Sequence, residues 1–407
     1  MARRAKRRRI EPPERVTVKL GDMTQEGATT ARDGDRDLVI DCGIPGETAV
    51  VELDREERGR FYGRVVDVLD HSPDRIDAPC PYFGECGGCQ WQHVSYERQL
   101  AMKREIVAEK LHEVGGFGEP PVSPTLGAEN PWGYRNHIRF TAKPRGEIGF
   151  VQRGTHRFLR IDECLIADPW INQALPKLQG KGSGMHQVAI RLGVKTGDIL
   201  IHPDVSEIDP SLPPTQTHYY EELLGCRFRI SAASFFQTNT PQAERLISLV
   251  RERLDPQPGE TLADAYAGVG TFAVILAPLV SRVIAIEESA AAVDDAMVNI
   301  AACPNVQYYR GKVEDVLPTL DERIDCLILD PPRIGAHPAA IDAVLKSRPS
   351  RIAYVSCDPA TLARDLRLLA GAYDLLDVTP VDMFPQTHHI ECVATLRRDP
   401  ASPGSRF

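Results

Sequence analysis

The sequence predicts an α/β protein, with a Rossmann-like, doubly wound C-terminal domain, a small N-terminal OB-like β-barrel and a β-rich central domain. Three observations predict this. From about residue 230, apolar runs of strand length alternate with helical stretches, as in a parallel sheet covered by helices. Short β-rich runs separated by Gly and Asp turns fill residues 11–70, and irregular strand-like segments lie between the two regions. The 407 residues suffice for several cores, since one core stops growing at about 250 to 300 residues.

The composition is that of a globular protein with one strongly basic end. The formal net charge of -9 argues against binding nucleic acid over the whole surface. Residues 1–10 form a basic arm, and no apolar segment follows it as in a signal peptide. Ten cysteines in such a chain predict a reducing compartment, so we expect a cytoplasmic protein without a membrane segment.

Residues 11–70 contain the runs RVTVKLGDM, DRDLVIDC, ETAVVELDRE and FYGRVVDVL. Four or five short strands at this spacing predict a five-stranded OB-like barrel, which is a common nucleic-acid-binding module. A small β domain without a ligand is the alternative.

The predicted central domain, residues 71–229, begins with the stretch CPYFGECGGCQWQ. Its three cysteines follow the spacing C-x5-C-x2-C, one thiolate short of a closed zinc or iron–sulfur site. A further cysteine, Cys164, lies in RIDECLIADP. Apolar residues at intervals of three and four predict a helix within residues 95–118, which we expect to pack on the catalytic domain. Gly115 predicts the end of that helix.

In the last domain, residues 230–398, the segment LADAYAGVGTFA predicts a strand, a glycine turn and a helix. Glycines there allow a ligand to approach the backbone closely. The next strand ends at Glu287, whose carboxylate can accept hydrogen bonds from both hydroxyls of a ribose. Spacing alone leaves a nicotinamide dinucleotide and S-adenosylmethionine open. The segment LILDPPR at the end of the fourth strand favours S-adenosylmethionine, with an amine as one acceptor of its methyl group. Residues 399–407 are a predicted tail.

The fifth strand ends in VSCDP, where Cys357 lies just before a predicted helix. A helix N-terminus stabilises a thiolate, although a buried core cysteine is the alternative. A thiolate would serve methyl transfer to C5 of a pyrimidine, because its addition at C6 makes C5 nucleophilic. The C5 proton must then be removed by a base. Glu391, at the start of the final strand, is the candidate, and the neighbouring His388 and His389 are expected to be polar surface.

With these residues the chain resembles the RNA uracil-C5 methyltransferase family. Five motifs carry the resemblance: SFFQTN at 234–239, DAYAGVGTF at 264–272, LDPPR at 329–333, VSCDPATLARD at 355–365 and HHIEC at 388–392. The resemblance implies a class I methyltransferase fold and methylation of a uridine in structured RNA, with 23S rRNA favoured over the T-loop of tRNA. The N-terminal part resembles the RNA-binding TRAM domain. The middle resembles an insertion that carries a [4Fe-4S] cluster in one branch of the family.

The family motifs also imply residue roles. S-adenosylmethionine would be bound by Gln237, Tyr266, Glu287 and Asp330, with Thr271 and Lys312 as weaker candidates. Cys357 would be the nucleophile and Glu391 the proton acceptor. The cluster ligands would be Cys80, Cys86, Cys89 and Cys164.

Two departures from the family pattern affect these expectations. VSCDP replaces the commoner VSCNP and adds a negative charge beside Cys357, unless Asp358 serves as a helix cap. GDMTQEGATT lacks the usual glycine pair of the first barrel loop, which weakens the prediction of RNA contact there.

The target uridine must leave its stack to reach a thiolate in a cleft, so the expected partner is RNA with a flipped or looped base. Phe235 and Phe236 are expected to pack in the core rather than stack on a base. A non-catalytic RNA-binding assembly factor is the alternative from another functional class. The sequence indicates no obligate protein partner.

Overall fold

The computed structural model describes residues 8–398. The predicted arm, apart from residues 8–10, and the predicted tail lie outside these residues. The described chain divides into two compact units. The first contains the chain up to Ile106 together with Phe150–Leu159 and Phe384–His389, and the second contains Val107–Gly149, Arg160–Met383 and the chain from Ile390 onward. None of the described helices has the length and apolar character needed to cross a membrane.

A closed five-stranded barrel opens the first unit, as predicted. Its strands are β1 (Arg8–Met23), β2 (Thr29–Asp33), β3 (Arg36–Asp41), β4 (Thr48–Glu57) and β5 (Arg60–Asp70). They are ordered β1-β2-β3-β5-β4. Alternate side chains point inward because successive residues of a strand face opposite sides, and the buried ones are Val18, Leu20, Leu38, Ile40, Ala49, Val51 and Leu53.

The predicted helix follows the cysteine-rich stretch as α1 (Tyr96–Glu113). Met102, Ile106 and Leu111 form its buried stripe, at the intervals that its sequence shows. The helix stops two residues before Gly115, as the glycine predicts.

The middle of the chain consists mostly of strands, as the sequence predicts. Its elements are β6 (His137–Ala142), β7 (Ile148–Val151), β8 (Phe158–Arg160), α2 (Pro169–Leu178), β9 (Gln187–Leu192), β10 (Ile199–His202), β11 (His218–Leu223) and β12 (Cys226–Ser231). Strands β9 and β10 form a hairpin, and β6 pairs with β9 in antiparallel register.

The last region alternates strands and helices. Its elements are α3 (Thr240–Leu254), β13 (Thr261–Ala265), α4 (Thr271–Leu276), β14 (Arg282–Glu287), α5 (Ala290–Asn299), β15 (Val306–Arg310), α6 (Val313–Val316), β16 (Cys326–Leu329), α7 (Pro338–Ser347), β17 (Arg351–Ser356), α8 (Pro359–Leu369), β18 (Tyr373–Val381) and β19 (Glu391–Arg398). Short 3-10 turns lie at Ala277–Leu279, Ile300–Ala302 and Leu317–Thr319.

These strands form one sheet in the order β15-β14-β13-β16-β17-β19-β18. The first five are parallel, and β19 runs antiparallel to both of its neighbours. The strand order reverses between β13 and β16, which is where doubly wound sheets bind ligands. Because β19 is antiparallel, its first residue lies at the same edge of the sheet as the carboxyl ends of the parallel strands.

Candidate active site

The turn after β13 carries three residues with left-handed backbone. Tyr266 has φ +68°, Gly268 +57° and Gly270 +85°. A Cβ on Gly268 would meet no atom within 4 Å, so the space beside this glycine is open. Positive φ is costly for a residue with a bulky side chain, and such strain gathers at ligand sites. The geometry of this turn therefore agrees with the predicted cofactor turn.

Glu287, the last residue of β14, is held in a fixed orientation beside that turn. Its Oε2 accepts a hydrogen bond from the Gly268 backbone N–H at 3.0 Å, and its Oε1 accepts one from the Ser289 N–H at 2.7 Å. Each carboxylate oxygen keeps a further lone pair. The oriented carboxylate can thus receive the two hydroxyls of a ribose.

Two further carboxyl groups lie near the switch point. Asp264 is completely buried, and its Oδ2 accepts a hydrogen bond from the Ala273 N–H at 3.0 Å. In the described part of the chain its Oδ1 has no hydrogen-bond partner. Burial, and then the charge of Asp330, raises the pKa of Asp264 to about 7, and burial raises the pKa of Asp330 to about 7. A cationic ligand would relieve this concentration of carboxylates, so the residues fit the sulfonium and amino group of S-adenosylmethionine.

Gln237 lies half-buried in the loop between β12 and α3. Asn136 orders this loop, because its side-chain amide donates to the Gln237 carbonyl at 3.4 Å and its backbone N–H donates to the Thr238 carbonyl at 2.9 Å. Phe236 packs in the core as expected, at 6% exposure. The same expectation for Phe235 is wrong: its side chain is 74% exposed.

The two weaker candidates lie on neighbouring turns. Thr271 is the first residue of α4, directly after Gly270, and it is half-buried. Lys312 is exposed and precedes α6, two residues beyond the end of β15. Their contact with a cofactor stays a prediction.

The strand register brings Cys357 and Glu391 together. Ser356 pairs with Cys392 across the antiparallel strands β17 and β19. Cys357 follows the first of these residues and Glu391 precedes the second, so the two residues lie directly beyond the last pair of the ladder. Glu391 is 5% exposed. The candidate nucleophile, which is half-buried, and the candidate base, which is buried, thus lie at the same edge of the sheet on neighbouring strands.

The electrostatics differ from the expected stabilised thiolate. Burial and the charges of Glu391 and Asp330 raise the pKa of Cys357 to about 12, against a lowering contribution from Arg333. Burial, assisted by Asp330, raises the pKa of Glu391 well above its usual range. The N-terminal end of the α8 dipole stabilises a nearby thiolate by about 0.3–1 kcal/mol at an exposed site. Burial and the neighbouring negative charges destabilise the Cys357 thiolate by more than this.

Asp358 caps α8. Its Oδ1 accepts hydrogen bonds from the backbone N–H groups of Ala360 at 3.1 Å and Thr361 at 3.0 Å. Its Oδ2 lies 3.8 Å from Nε of Arg333. The aspartate that replaces the commoner asparagine therefore has a structural role, although its charge still adds slightly to the rise in the pKa of Cys357.

Sequence reasoning missed the anchor of the loop that follows Asp330. Buried Asp365 accepts hydrogen bonds at Oδ2 from the Ala336 N–H at 2.8 Å and from the Tyr354 hydroxyl at 2.6 Å. In the sequence, this anchor could have been found because Asp365 lies on the apolar stripe of α8 together with Leu362 and Leu366. A buried carboxylate needs such donors.

The cysteines predicted to hold a cluster come from both compact units. Cys80, Cys86 and Cys89 lie in the first unit and Cys164 in the second. All four side chains are half-buried. Within residues 8–398, no group of three or more His, Cys, Asp or Glu side chains is placed to hold a metal ion.

Comparison with known proteins decides the family. A sequence profile described as tRNA (uracil-5-)-methyltransferase matches residues 222–399, which include all five motifs. An RNA methyltransferase of Gloeobacter violaceus, named as uncharacterized, is 37% identical, with 94% of this chain and 96% of the relative covered. The chain belongs to the RNA uracil-5-methyltransferase family. A second such relative, from Halalkalibacterium halodurans, is 36% identical, with 94% of this chain and 96% of that protein covered.

A solved structure supports the same assignment for this RNA uracil-5-methyltransferase family member. The crystal structure of Pyrococcus abyssi tRNA (uracil-54, C5)-methyltransferase in complex with S-adenosyl-L-homocysteine matches with a TM-score of 0.74. The two chains are 25% identical, and the match covers 93% of this chain and 99% of the other. Family and sheet order together confirm the predicted class I methyltransferase fold.

Proposed function

We propose that the protein transfers a methyl group from S-adenosylmethionine to C5 of a uridine in structured RNA through a covalent Cys357 adduct. The observation that carries the proposal is the register of β17 and β19, whose last pair, Ser356 and Cys392, is adjacent in the chain to Cys357 and Glu391. A methyltransferase acting on an amine, or a non-catalytic RNA-binding protein, has no use for this pair. Family membership supports the reaction class.

Gln237, Tyr266, Glu287 and Asp330 would hold S-adenosylmethionine at the switch point of the sheet, with Thr271 and Lys312 as further candidates. The cofactor supplies an electrophilic methyl group on a cationic sulfur. Cys357 Sγ bonds to C6 of the uracil, and the resulting enolate carbon C5 takes the methyl group. Glu391 then removes the C5 proton, the C6–S bond breaks, and the thiolate is released.

The charges around Cys357 would make formation of its thiolate depend on cofactor binding. The carboxylates of Glu391 and Asp330 raise the pKa of the Cys357 thiol. A cation bound beside Asp330 offsets part of this negative charge, which lowers the cost of forming the thiolate. A bound methyl donor would therefore favour formation of the Cys357 thiolate.

RNA would reach this site as an unstacked base. Phe235, two residues before Gln237, is exposed and offers a face on which a base can stack. The five-stranded barrel is consistent with an OB-like RNA-binding module, and its TRAM identity stays a prediction. The sequence favours 23S rRNA as substrate. The likeness to a tRNA (uracil-54, C5)-methyltransferase favours tRNA as the alternative.

We expect the purified protein to label RNA from cells that lack its gene when it is supplied with [methyl-3H]S-adenosylmethionine. Nucleosides would be separated after fractionation into 23S rRNA and tRNA. Label in 5-methyluridine from one fraction identifies the substrate, and RNA from wild-type cells, already methylated, is the unlabelled control. Label in an N-methylated base would instead support an amine acceptor, and no label in either fraction would refute the proposal.

We propose, from the family resemblance, that Cys80, Cys86, Cys89 and Cys164 hold a [4Fe-4S] cluster. One observation supports a ligand role: the Gly88 N–H lies 3.4 Å from Cys86 Sγ, and such hydrogen bonds tune cluster thiolates. No step of the reaction depends on the group.

Anaerobically purified protein is expected to be brown, with absorbance near 400 nm that is lost in Cys86→Ser and kept in Cys303→Ser. Bound zinc in a colourless protein, or no metal at all, would contradict the iron assignment.

A further inference from the structure

The segment Phe384–His389 leads directly into β19, whose first residue is the candidate base Glu391. This segment belongs to the first unit, where buried polar side chains of α1 and of the stretch before it surround it. We propose that Lys103 and Gln99 are positioning residues, which fix this segment and thereby keep Glu391 in place for removal of the C5 proton. The inference rests on the proposed covalent mechanism.

Gln99 and Gln386 bind each other reciprocally. Gln99 Nε2 donates to Gln386 Oε1 at 3.0 Å, and Gln99 Oε1 accepts from the Gln386 backbone N–H at 3.0 Å. The Gln386 carbonyl accepts from the backbone N–H groups of Gln90 and Trp91, both at 3.1 Å. Gln99 and Gln386 are 1% and 3% exposed. Four hydrogen bonds thus fix one residue of the segment.

Lys103 joins the two ends of the segment. Its Nζ donates to the His389 carbonyl at 2.8 Å and to the Phe384 carbonyl at 3.2 Å. The residue is completely buried, and its ammonium lies 5.7 Å from the centre of the Trp91 ring. Burial of an ammonium is costly, and an apolar side chain would fill the same space at lower cost. A lysine here holds two carbonyls at a fixed separation, which an apolar residue does not do.

The barrel adds a third constraint. Gly27 has φ +82°, and a Cβ on it would lie 2.7 Å from Cβ of His388. Only glycine permits so close an approach. Gln90 Oε1 is 3.0 Å from Nδ1 of His388. The histidine pair is therefore half-buried and held by neighbouring groups, contrary to the polar surface expected from the sequence.

Glu391 comes two residues after His389 in the chain, so a displaced segment displaces the carboxylate. The base acts only after the methyl group has been transferred. Misplacement of a catalytic group by about 1 Å can cost about 100-fold in rate. Loss of the positioning contacts should therefore slow breakdown of the protein–RNA adduct and leave its formation nearly unchanged.

The test is a single-turnover reaction of the full chain with RNA and S-adenosylmethionine, with the adduct measured on a denaturing gel and the released methylated RNA measured in parallel. For Lys103→Met and Gln99→Leu we expect adduct breakdown to slow at least about 10-fold, with adduct formation within about 2-fold of wild type. Arg104→Gln, an exposed neighbour on α1, should behave as wild type.

If Lys103 and Gln99 had only a structural role, their replacement would lower the rates of adduct formation and adduct breakdown together, or would change neither rate. Each of these results, in a soluble Lys103→Met or Gln99→Leu protein, would overturn the inference. Glu391→Gln in the same experiment distinguishes failure of the proposed mechanism from failure of the positioning role alone. If it traps no adduct and still releases methylated RNA, Glu391 is not the group that removes the C5 proton, and the proposed mechanism fails at that step. If it traps adduct while Lys103→Met and Gln99→Leu keep the wild-type ratio of the two rates, only the positioning role fails.

Discussion

Replacement of Cys357 by alanine is expected to abolish tritium release from RNA that carries 5-3H-uridine. Tritium leaves C5 only after a methyl group has been added there, and C5 is too weak a nucleophile without a thiolate at C6. Removal of an essential nucleophile typically costs more than about 10⁴-fold in rate. The measurement is tritium in water after incubation with S-adenosylmethionine.

Cys303→Ala is the matched control for this loss. Cys303 is also a half-buried free cysteine of the same unit, and it lies in the turn after α5 rather than at the carboxyl edge of the sheet. It should release tritium at the wild-type rate. A Cys357→Ala protein that binds S-adenosylmethionine and still releases tritium would exclude the covalent route, and the register of β17 and β19 would then need another explanation.

Replacement of Glu391 by glutamine is expected to trap the enzyme on its RNA. The amide is nearly isosteric and cannot take the C5 proton, so methyl transfer proceeds and elimination does not. Turnover should fall by about 10²- to 10⁴-fold. A protein–RNA species that survives denaturation and carries the labelled methyl group should appear on a gel.

The exposed Glu252→Gln on α3 is the control for the same chemical change, and it should leave no trapped species. Absence of the adduct in Glu391→Gln, with methylated RNA released at the wild-type rate, would show that another group removes the proton. His389, two residues earlier, would be the next residue to replace.

The sequence predicted those parts of the fold that depend on residues close together in the chain. Short β-rich runs between Gly and Asp turns predicted the barrel strands, and apolar residues at intervals of three and four predicted α1. Capping residues predicted where α8 begins, and the structure confirms the capping role of Asp358. These features depend on neighbours a few residues apart, so one sequence contains the information.

Exposure and charge at the site could not be predicted in the same way. Phe235 and Phe236 are identical in type and adjacent, yet one is 74% exposed and the other 6%. Cys357 precedes a helix, which favours a thiolate, but burial, and then the charges of Glu391 and Asp330, raise the pKa of its thiol instead. Both outcomes depend on groups that are far away along the chain.

By itself the sequence predicted the groups on which the proposed chemistry depends: a thiol at a strand end, a carboxylate at the start of the final strand and a glycine turn for the cofactor. Only the tertiary structure decided that Cys357 and Glu391 lie beside the same strand pair, Ser356 and Cys392, because the register of two distant strands is set by the packing of the whole sheet. It also decided that Lys103 and Gln99 enclose the segment before Glu391. Contacts between residues so far apart follow from the path of the chain through the fold, which local sequence patterns do not specify.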